Sequence, residues 1–185
     1  MTSSGEGPII VATTDRLFLR RFRREDLAAL TALNADPEVM RYITGRPTAP
    51  AEVRDRFLPE YLADHERLGG LGRWVAEERA TSEFVGWFSL RPVEGAVATL
   101  ELGYRLRREA WGRGYATEGG RAMLDLAYRT FGAQRVVAQT MTVNTRSRAV
   151  MERLGMHLLR SFMADWGEDI PGGELGDVEY VIELP

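Results

Sequence analysis

The sequence contains no cysteine. That absence excludes disulfides, thiolate metal ligands and a cysteine nucleophile. Histidine is nearly absent as well: His65 and His157 are the only two, which argues against a zinc site, and no metal is expected. No apolar run approaches the ~18 residues of a membrane span. The opening MTSSGEGPII lacks the basic and apolar regions of a secretory signal, so residues 1–13 read as a flexible lead-in. These absences together point to the cytoplasm and to no membrane partner. An excess of basic charge is also missing. With 24 basic and 27 acidic side chains the formal net charge is -3, which argues against a nucleic-acid binder. What is present is 185 residues with 44% hydrophobic content, enough for one compact core, so residues 14–185 are expected to form a single domain.

The stretch from Thr99 to Phe131 organises the chain. Leu100, Leu102, Tyr104 and Leu106 alternate with Glu101, Gly103 and Arg105, which is the period of a strand. Met123, Leu124, Ala127, Tyr128 and Phe131 recur at helical spacing, and Gly132 is placed to stop that helix. Between the two lie Gly112, Arg113, Gly114, Tyr115, Ala116 and Thr117. Small residues there permit a tight turn and close approach of a ligand. The helix that follows starts with free N–H groups and a positive dipole end, which suits an anion and most often a phosphate. A plain strand-to-helix turn has the same spacing and is the competing reading. A Walker loop is disfavoured because no lysine follows the glycines. A dinucleotide fingerprint is disfavoured because no acid occurs between Asp125 and Glu152.

The remaining elements are read in chain order. Asp15 to Phe22 is expected to be a strand with Leu17 and Leu19 inward, and Arg24 to Ala35 a helix. Asp36-Pro37 opens a short helix as N-cap and first helical residue. A third helix is expected from about Pro50 to Leu68, stopped by Gly69 and Gly70. Arg73 to Glu77 and Phe84 to Arg91 read as an antiparallel hairpin. Ala133 to Met141 reads as a strand, Asn144 opens a helix ending at Gly155, His157 to Trp166 is another strand, and VEYVIEL closes the sheet. The mixture implies an α/β (α+β) domain around one mostly antiparallel sheet.

The run YRLRREAWGRGYATEGGRAMLDLAYRTFGAQRVVAQTMTVNTRSRAVMERLGM resembles the acetyl-CoA-binding core of the GCN5-related N-acetyltransferases. The branch it looks most like is that of the ribosomal-protein acetyltransferases RimJ and RimL, which tolerates Trp111 before the glycines. The resemblance implies a single such domain whose activity is direct transfer of acetyl from acetyl-CoA to an amine. The amine could belong to a protein N-terminus, a polyamine, an aminoglycoside or an amino acid. It implies that the turn from Gly112 to Thr117 holds the cofactor pyrophosphate. It also implies that the strand edge at Tyr104, Arg105 and Leu106 pairs with the pantetheine arm and offers an N–H to the oxyanion. Asn144 matches a position that hydrogen-bonds that arm, although a simple N-cap is an equal reading. Arg107, Arg108, Arg113 and Arg148 are candidate phosphate contacts. Tyr42, Phe57 and Tyr61 are candidate acceptor-pocket residues. The expected assembly is a monomer or homodimer.

Two departures bear on the chemistry. An amine with pKa near 10 must lose a proton before it attacks. Related enzymes carry a carboxylate five residues before the Asn, whereas this chain has Gln139. Glu101 is the best remaining base, with Asp165, Glu168 and Asp169 as alternatives. Many relatives place a tyrosine acid seven residues after the Asn, whereas this chain has Met151. Ser147 matches the serine of the RimL-like branch and is the expected proton donor. With no cysteine, direct attack in a ternary complex is the expected route. The departures keep a non-catalytic acyl-CoA-binding module as the alternative function.

Overall fold

A computed structural model describes residues 9–164 and 170–185. The alternating run at mid-chain is a strand, β5 (Thr99–Leu106), and the sheet extends from it on both sides. To one side stand β4 (Phe84–Pro92), β3 (Gly72–Glu78), β2 (Leu17–Arg21) and β1 (Ile10–Thr13). To the other stand β6 (Arg135–Met141), β8 (Asp177–Glu183) and β7 (His157–Phe162). The order is β1-β2-β3-β4-β5-β6-β8-β7, and β5–β6 is its one parallel pair. The expected mixed, mostly antiparallel sheet is therefore present. Ile10–Thr13 pairs with β2, so part of the expected lead-in is an edge strand, and residues 1–8 lie outside the described residues. The strand expected to reach Trp166 ends at Phe162.

Helices cover both faces. α5 (Tyr115–Arg129) and α6 (Thr145–Arg153) bury Met123, Ala127, Met151 and Leu154 against Leu17, Leu19, Trp74, Phe88 and Leu102. On the other face α1 (Leu27–Ala35), α2 (Pro37–Met40), α3 (Pro50–Glu52) and α4 (Leu58–Arg67) bury Leu30, Leu33, Val53 and Tyr61 against Val75 and Trp87. Local signals explain several ends. Asp36 accepts from Glu38 N–H at 2.9 Å, with Pro37 next, as expected of an N-cap. Gly132, at φ +64°, turns the chain out of α5.

The helix expected over 50–68 is not uniform. A π turn, Val53–Phe57, separates α3 from α4. Pro59 has no N–H to donate to the preceding turn and its ring crowds the carbonyl there. The Leu58 N–H reaches back to Val53 O instead, one residue further than in an α-helix.

Gly119 and Gly120, inside α5, have a packing cause. A Cβ on Gly119 would enter the contact radius of the Phe88 ring, and one on Gly120 would stand 2.8 Å from Leu154 Cδ1. Glycine costs about 1 kcal/mol in a helix interior, yet here it lets α5 lie directly on β4 and α6.

β5 and β6 pair only through Thr99, Leu100 and Glu101 with Arg135, Val136 and Val137. Beyond that point β4 follows β5 to Leu106, and β8 follows β6 to Met141. The two halves of the sheet thus part from Leu102 onward, and a wedge opens between them.

Candidate active site

The anion turn stands beside the wedge. After β5 the chain makes a 3₁₀ turn, Arg108–Ala110, and bends through Trp111–Gly114 into α5. Gly112 and Gly114 have φ of +70° and +82°, the left-handed region where glycine carries no Cβ penalty. Gly114 is the N-cap and has no side chain to accept from the helix. The N–H groups of Tyr115, Ala116 and Thr117 therefore lack intrahelical partners, next to the exposed Gly112–Gly114. A Cβ on Gly112 would meet nothing within 4 Å, so space above the turn is open. The helix begins at Tyr115, which puts Tyr115, Ala116 and Thr117 in its first turn rather than in the connection.

Two arginines flank this turn. Arg16 Nη1 donates to the Arg113 carbonyl at 2.9 Å, and Arg16 Nε donates to Glu118 Oε2 at 2.7 Å. Thr14 Oγ1 and Arg16 N–H donate to Glu118 Oε1 at 2.6 and 2.8 Å. Burial pushes the Glu118 carboxyl up, but these bonds from Thr14 and Arg16 outweigh it and hold it below the ordinary carboxylate value. The Arg16 and Arg113 guanidiniums stand 4.4 and 5.0 Å from the Tyr115 ring centroid. Arg16 is paired with Glu118, and Arg113 stands 3.5 Å from Glu78, so the free N–H groups of the helix N-terminus are the chief feature that fits a pyrophosphate such as that of acetyl-CoA, with the two guanidiniums beside them.

The wedge presents unpaired main chain. Arg107 N–H donates to Val85 O at 3.0 Å, so odd-numbered residues of β5 turn their main chain toward β4. Leu102, Tyr104 and Leu106 therefore turn theirs into the wedge. Of the three expected edge residues, Tyr104 and Leu106 face it. Arg105 does not, because the alternation points its main chain at Trp87. The Leu106 carbonyl already accepts from Trp111 Nε1 at 2.9 Å.

On the α5–α6 face, Tyr104 reaches across the wedge to α6. Its Oη lies 2.8 Å from Ser147 Oγ and 3.2 Å from Ser147 O. Burial dominates and the serine contact opposes it, leaving the phenol pushed up to about 12. Tyr104 thus stays protonated across the working pH range and keeps its donor. Asn144 is the N-cap of α6. Its Oδ1 accepts from Ser147 N–H at 3.2 Å, and its Nδ2 donates to Thr140 Oγ1 at 3.0 Å. One amide hydrogen of Asn144 remains.

On the α1–α4 face stand Glu101, Arg105 and Gln139. Glu101 faces Arg91 at 3.4 Å, and its side chain is 32% exposed. Gln139 donates to Glu179 Oε2 at 2.6 Å. The buried Glu179 carboxylate also accepts from Arg160 at 3.1 Å, so the cross-strand neighbour of Gln139 supplies a carboxylate that sequence reading did not single out. Asp165, Glu168 and Asp169 lie outside the described residues. A surface cleft of about 380 Å³, lined by α1, the start of β4, Arg107 and Glu109, opens on this face.

A family model described as an acetyltransferase (GNAT) domain matches residues 16–157. The chain belongs to the GNAT acetyltransferases. It is 35% identical over 178 residues to the FsC-acetyl coenzyme A-N(2)-transacetylase of Aspergillus fumigatus, covering 91% of this chain and 74% of that protein. Its fold is shared with a RimL ribosomal L7/L12 alpha-N-protein acetyltransferase solved with coenzyme A. There the TM-score is 0.79 at 20% identity, covering 95% of this chain and 98% of that one. A spermidine N-acetyltransferase from Vibrio cholerae, solved with CoA and spermine, matches with a TM-score of 0.75 at 18% identity, covering 90% and 95%. Acetyl-CoA-dependent transfer is the activity of this family, and the chain is an acetyltransferase.

The sequence-expected residues of this acetyltransferase do not all converge. Gly112 to Thr117, Tyr104, Asn144 and Ser147 gather along one side of the wedge. Arg107 pairs with Glu83, Arg108 stands 3.8 Å from Asp36, and Arg148 donates to Tyr180 Oη at 3.2 Å and Thr142 O at 3.1 Å. Those three are engaged elsewhere. Tyr61 is core, edge-on to Phe22 and Trp87, whereas Tyr42 is half-buried outside that core. Arg16 and Glu118 were missed. The acid in YATEGG was the available signal, since a carboxylate in a helix first turn competes with an anionic ligand for the positive helix end unless a donor or cation occupies it. Arg146, whose guanidinium stands 5.2 Å from the Trp111 ring centroid across the wedge mouth, was missed too.

Proposed function

We propose that this acetyltransferase joins acetyl-CoA and an amine in one ternary complex at the wedge between β5 and β6, without a covalent acyl-enzyme. The observation that carries this reading is the wedge itself. It has free main chain along Tyr104, free helix N–H groups at one end, and titratable side chains on both faces. Acetyl-CoA supplies a thioester, whose carbonyl carbon is open to an amine and whose sulfur can leave. The N–H groups of Tyr115, Ala116 and Thr117, with Arg16 and Arg113, hold the pyrophosphate. The edge at Tyr104 orients the pantetheine arm, and Asn144 spends its remaining amide hydrogen there.

Proton traffic divides between the faces. Glu101, on the α1–α4 face, takes the ammonium proton directly or through one water. The Tyr104–Ser147 pair, on the α5–α6 face, donates toward the departing sulfur. A phenol that donates to Ser147 Oγ leaves the serine hydrogen free to point into the wedge. A thiol has pKa near 8.5, so the donor has modest work to do. The acceptor is an amine, either a protein N-terminus or a small molecule.

The test is turnover with acetyl-CoA and a panel of amines, read by mass spectrometry. Glu101→Gln should lower kcat/KM by roughly 10²–10⁴ with coenzyme A binding intact. A loss below about fivefold with an unchanged pH profile would move the base elsewhere, with Glu179 next to be tested. Coenzyme A binding without turnover on any amine would favour a binding module instead.

A further inference from the structure

The α1–α4 face holds a cation without a counter-charge. Arg105 points its side chain into the helical layer and donates to the Asn34 carboxamide oxygen. Asn34 is fully buried, and its Nδ2 donates to Leu30 O at 2.9 Å, which fixes Oδ1 toward the guanidinium. Among the described residues no carboxylate pairs with Arg105. Its Nε is buried without a partner. The guanidinium stands 5.2 Å from the Trp87 ring centroid, and the Trp87 indole N–H is also buried and unpartnered. Two adjacent donors thus lack an acceptor in one patch.

The neighbouring arginines differ. Arg73, which stands 5.9 Å from the same Trp87 ring, is neutralised by Asp64 at 2.5 Å and Glu60 at 3.4 Å. Arg20 is neutralised by Asp26 and Glu77, each at 2.7 Å. Burial chiefly, with Arg73 adding and Tyr61 opposing, lowers the Arg105 pKa. A desolvated guanidinium is costly unless an anion meets it. A guanidinium presents a planar fork suited to a carboxylate.

We propose that Arg105, oriented by Asn34 and joined by the Trp87 indole, is a subsite for a carboxylate on the acceptor, so that the preferred acceptor is an amine that also carries a carboxylate. This rests on the acetyltransferase reading. Arg105 shares its face of β5 with Gly103 and Glu101, and Gly103 stands where the wedge opens. Arg105 is two residues along, about 7 Å in a strand. The amine therefore sits at the wedge beside Glu101, with its carboxylate several bonds away.

The experiment compares kcat/KM for ω-amino carboxylates, from glycine and β-alanine upward in chain length, with the matching primary amides. A dipeptide with a free C-terminus and its C-terminal amide form a second arm, which separates a free amino acid from a peptide as the source of the carboxylate. The carboxylate should be favoured by roughly tenfold or more at the best length. Arg105→Gln should bring the carboxylate-to-amide ratio to near one, and Arg105→Lys should restore part of it. Calorimetric titration of the protein with the N-acetylated ω-amino carboxylates, without coenzyme A, gives a readout independent of turnover and should lose its signal in Arg105→Gln. A wild-type ratio near one at every length, in both arms, overturns the subsite and leaves the acetyltransferase reading standing. A ratio unchanged in Arg105→Gln overturns it as well, making Arg105 a support for Trp87. Should no amine be acetylated, the function reading fails and the titration alone decides the subsite: binding lost in Arg105→Gln upholds it, and no binding by the wild type overturns it. The wild-type ratio and the wild-type titration do not depend on the variant folding, and partial recovery of binding in Arg105→Lys separates loss of the subsite from loss of the fold.

Discussion

The two faces of the sheet build their halves of the site by different means. The α5–α6 face uses main chain: glycines at Gly112 and Gly114, free N–H groups at Tyr115 to Thr117, and the Tyr104 edge, with one hydroxyl pair at Tyr104 and Ser147. The α1–α4 face uses charged side chains. Arg20, Asp26 and Glu77 form one buried network, and Arg73, Asp64 and Glu60 form another. Arg105 stands apart from both. The difference teaches how a site separates a constant partner from a variable one. In the proposed complex a pyrophosphate and an amide-rich arm meet mostly backbone, whose donors barely depend on side-chain identity, with Arg16, Arg113 and Asn144 beside it. In the proposed complex the acceptor meets side chains, which can change without disturbing the backbone.

The comparison can be broken most readily at Arg73. Arg73→Leu leaves the Asp64 carboxylate, whose side chain is 0% exposed, with Arg67 alone at 3.0 Å. The expected loss is about 3–5 kcal/mol of stability in denaturant unfolding. A loss below about 1 kcal/mol would mean that these charges are effectively solvated and that the faces do not differ in this way.

Gly119→Ala probes the other face. Its methyl must displace the Phe88 ring, so a net cost of about 1–3 kcal/mol is expected from overpacking, in spite of alanine's better helix propensity. A stabilised variant would show that α5 stands off the sheet.

Ser147→Ala sharpens the comparison within the chemistry. It should lower kcat by roughly tenfold, about 1.4 kcal/mol, and keep coenzyme A affinity within a few fold. An unchanged kcat would leave Tyr104 to meet the sulfur without the serine.

The smallest effect concerns Glu118, which ties the first strands to the anion turn. Its carboxyl titrates below its unfolded value because the bonds from Thr14 and Arg16 outweigh burial. A lowered carboxyl adds stability that is fully present above the unfolded value, about 4.3. That stability is lost as pH falls through the folded value. The stability gap between wild type and Glu118→Gln should therefore be larger at neutral pH than in acid below that window, in thermal melts across pH. A constant gap would show that the clamp acts through shape and not through charge.

Legibility followed the same division. The strand at Thr99–Leu106, the glycine turn, the stop at Gly132 and the cap at Asp36 were readable because each is a local main-chain preference of the residues that form it. The break at Val53–Phe57 was also local, since Pro59 lies just beyond it, but the helix expected from Pro50 to Leu68 took no account of that proline. Gly119 and Gly120 were visible as glycines, yet their cause, the Phe88 ring and Leu154, lies on other elements.

By itself the sequence determined the strand–turn–helix unit and the absence of cysteine chemistry, since each follows from residue type and near spacing, while the acetyltransferase fold entered through resemblance to a known family. Tertiary structure alone decided the wedge, because β5 and β6 part where no local residue breaks either strand. It alone joined Arg16 to Glu118 across 102 residues, Tyr104 to Ser147 across 43 and Arg105 to Asn34 across 71. Periodicity fixes which face a side chain takes, but register between strands and the stacking of layers fix which side chain it meets.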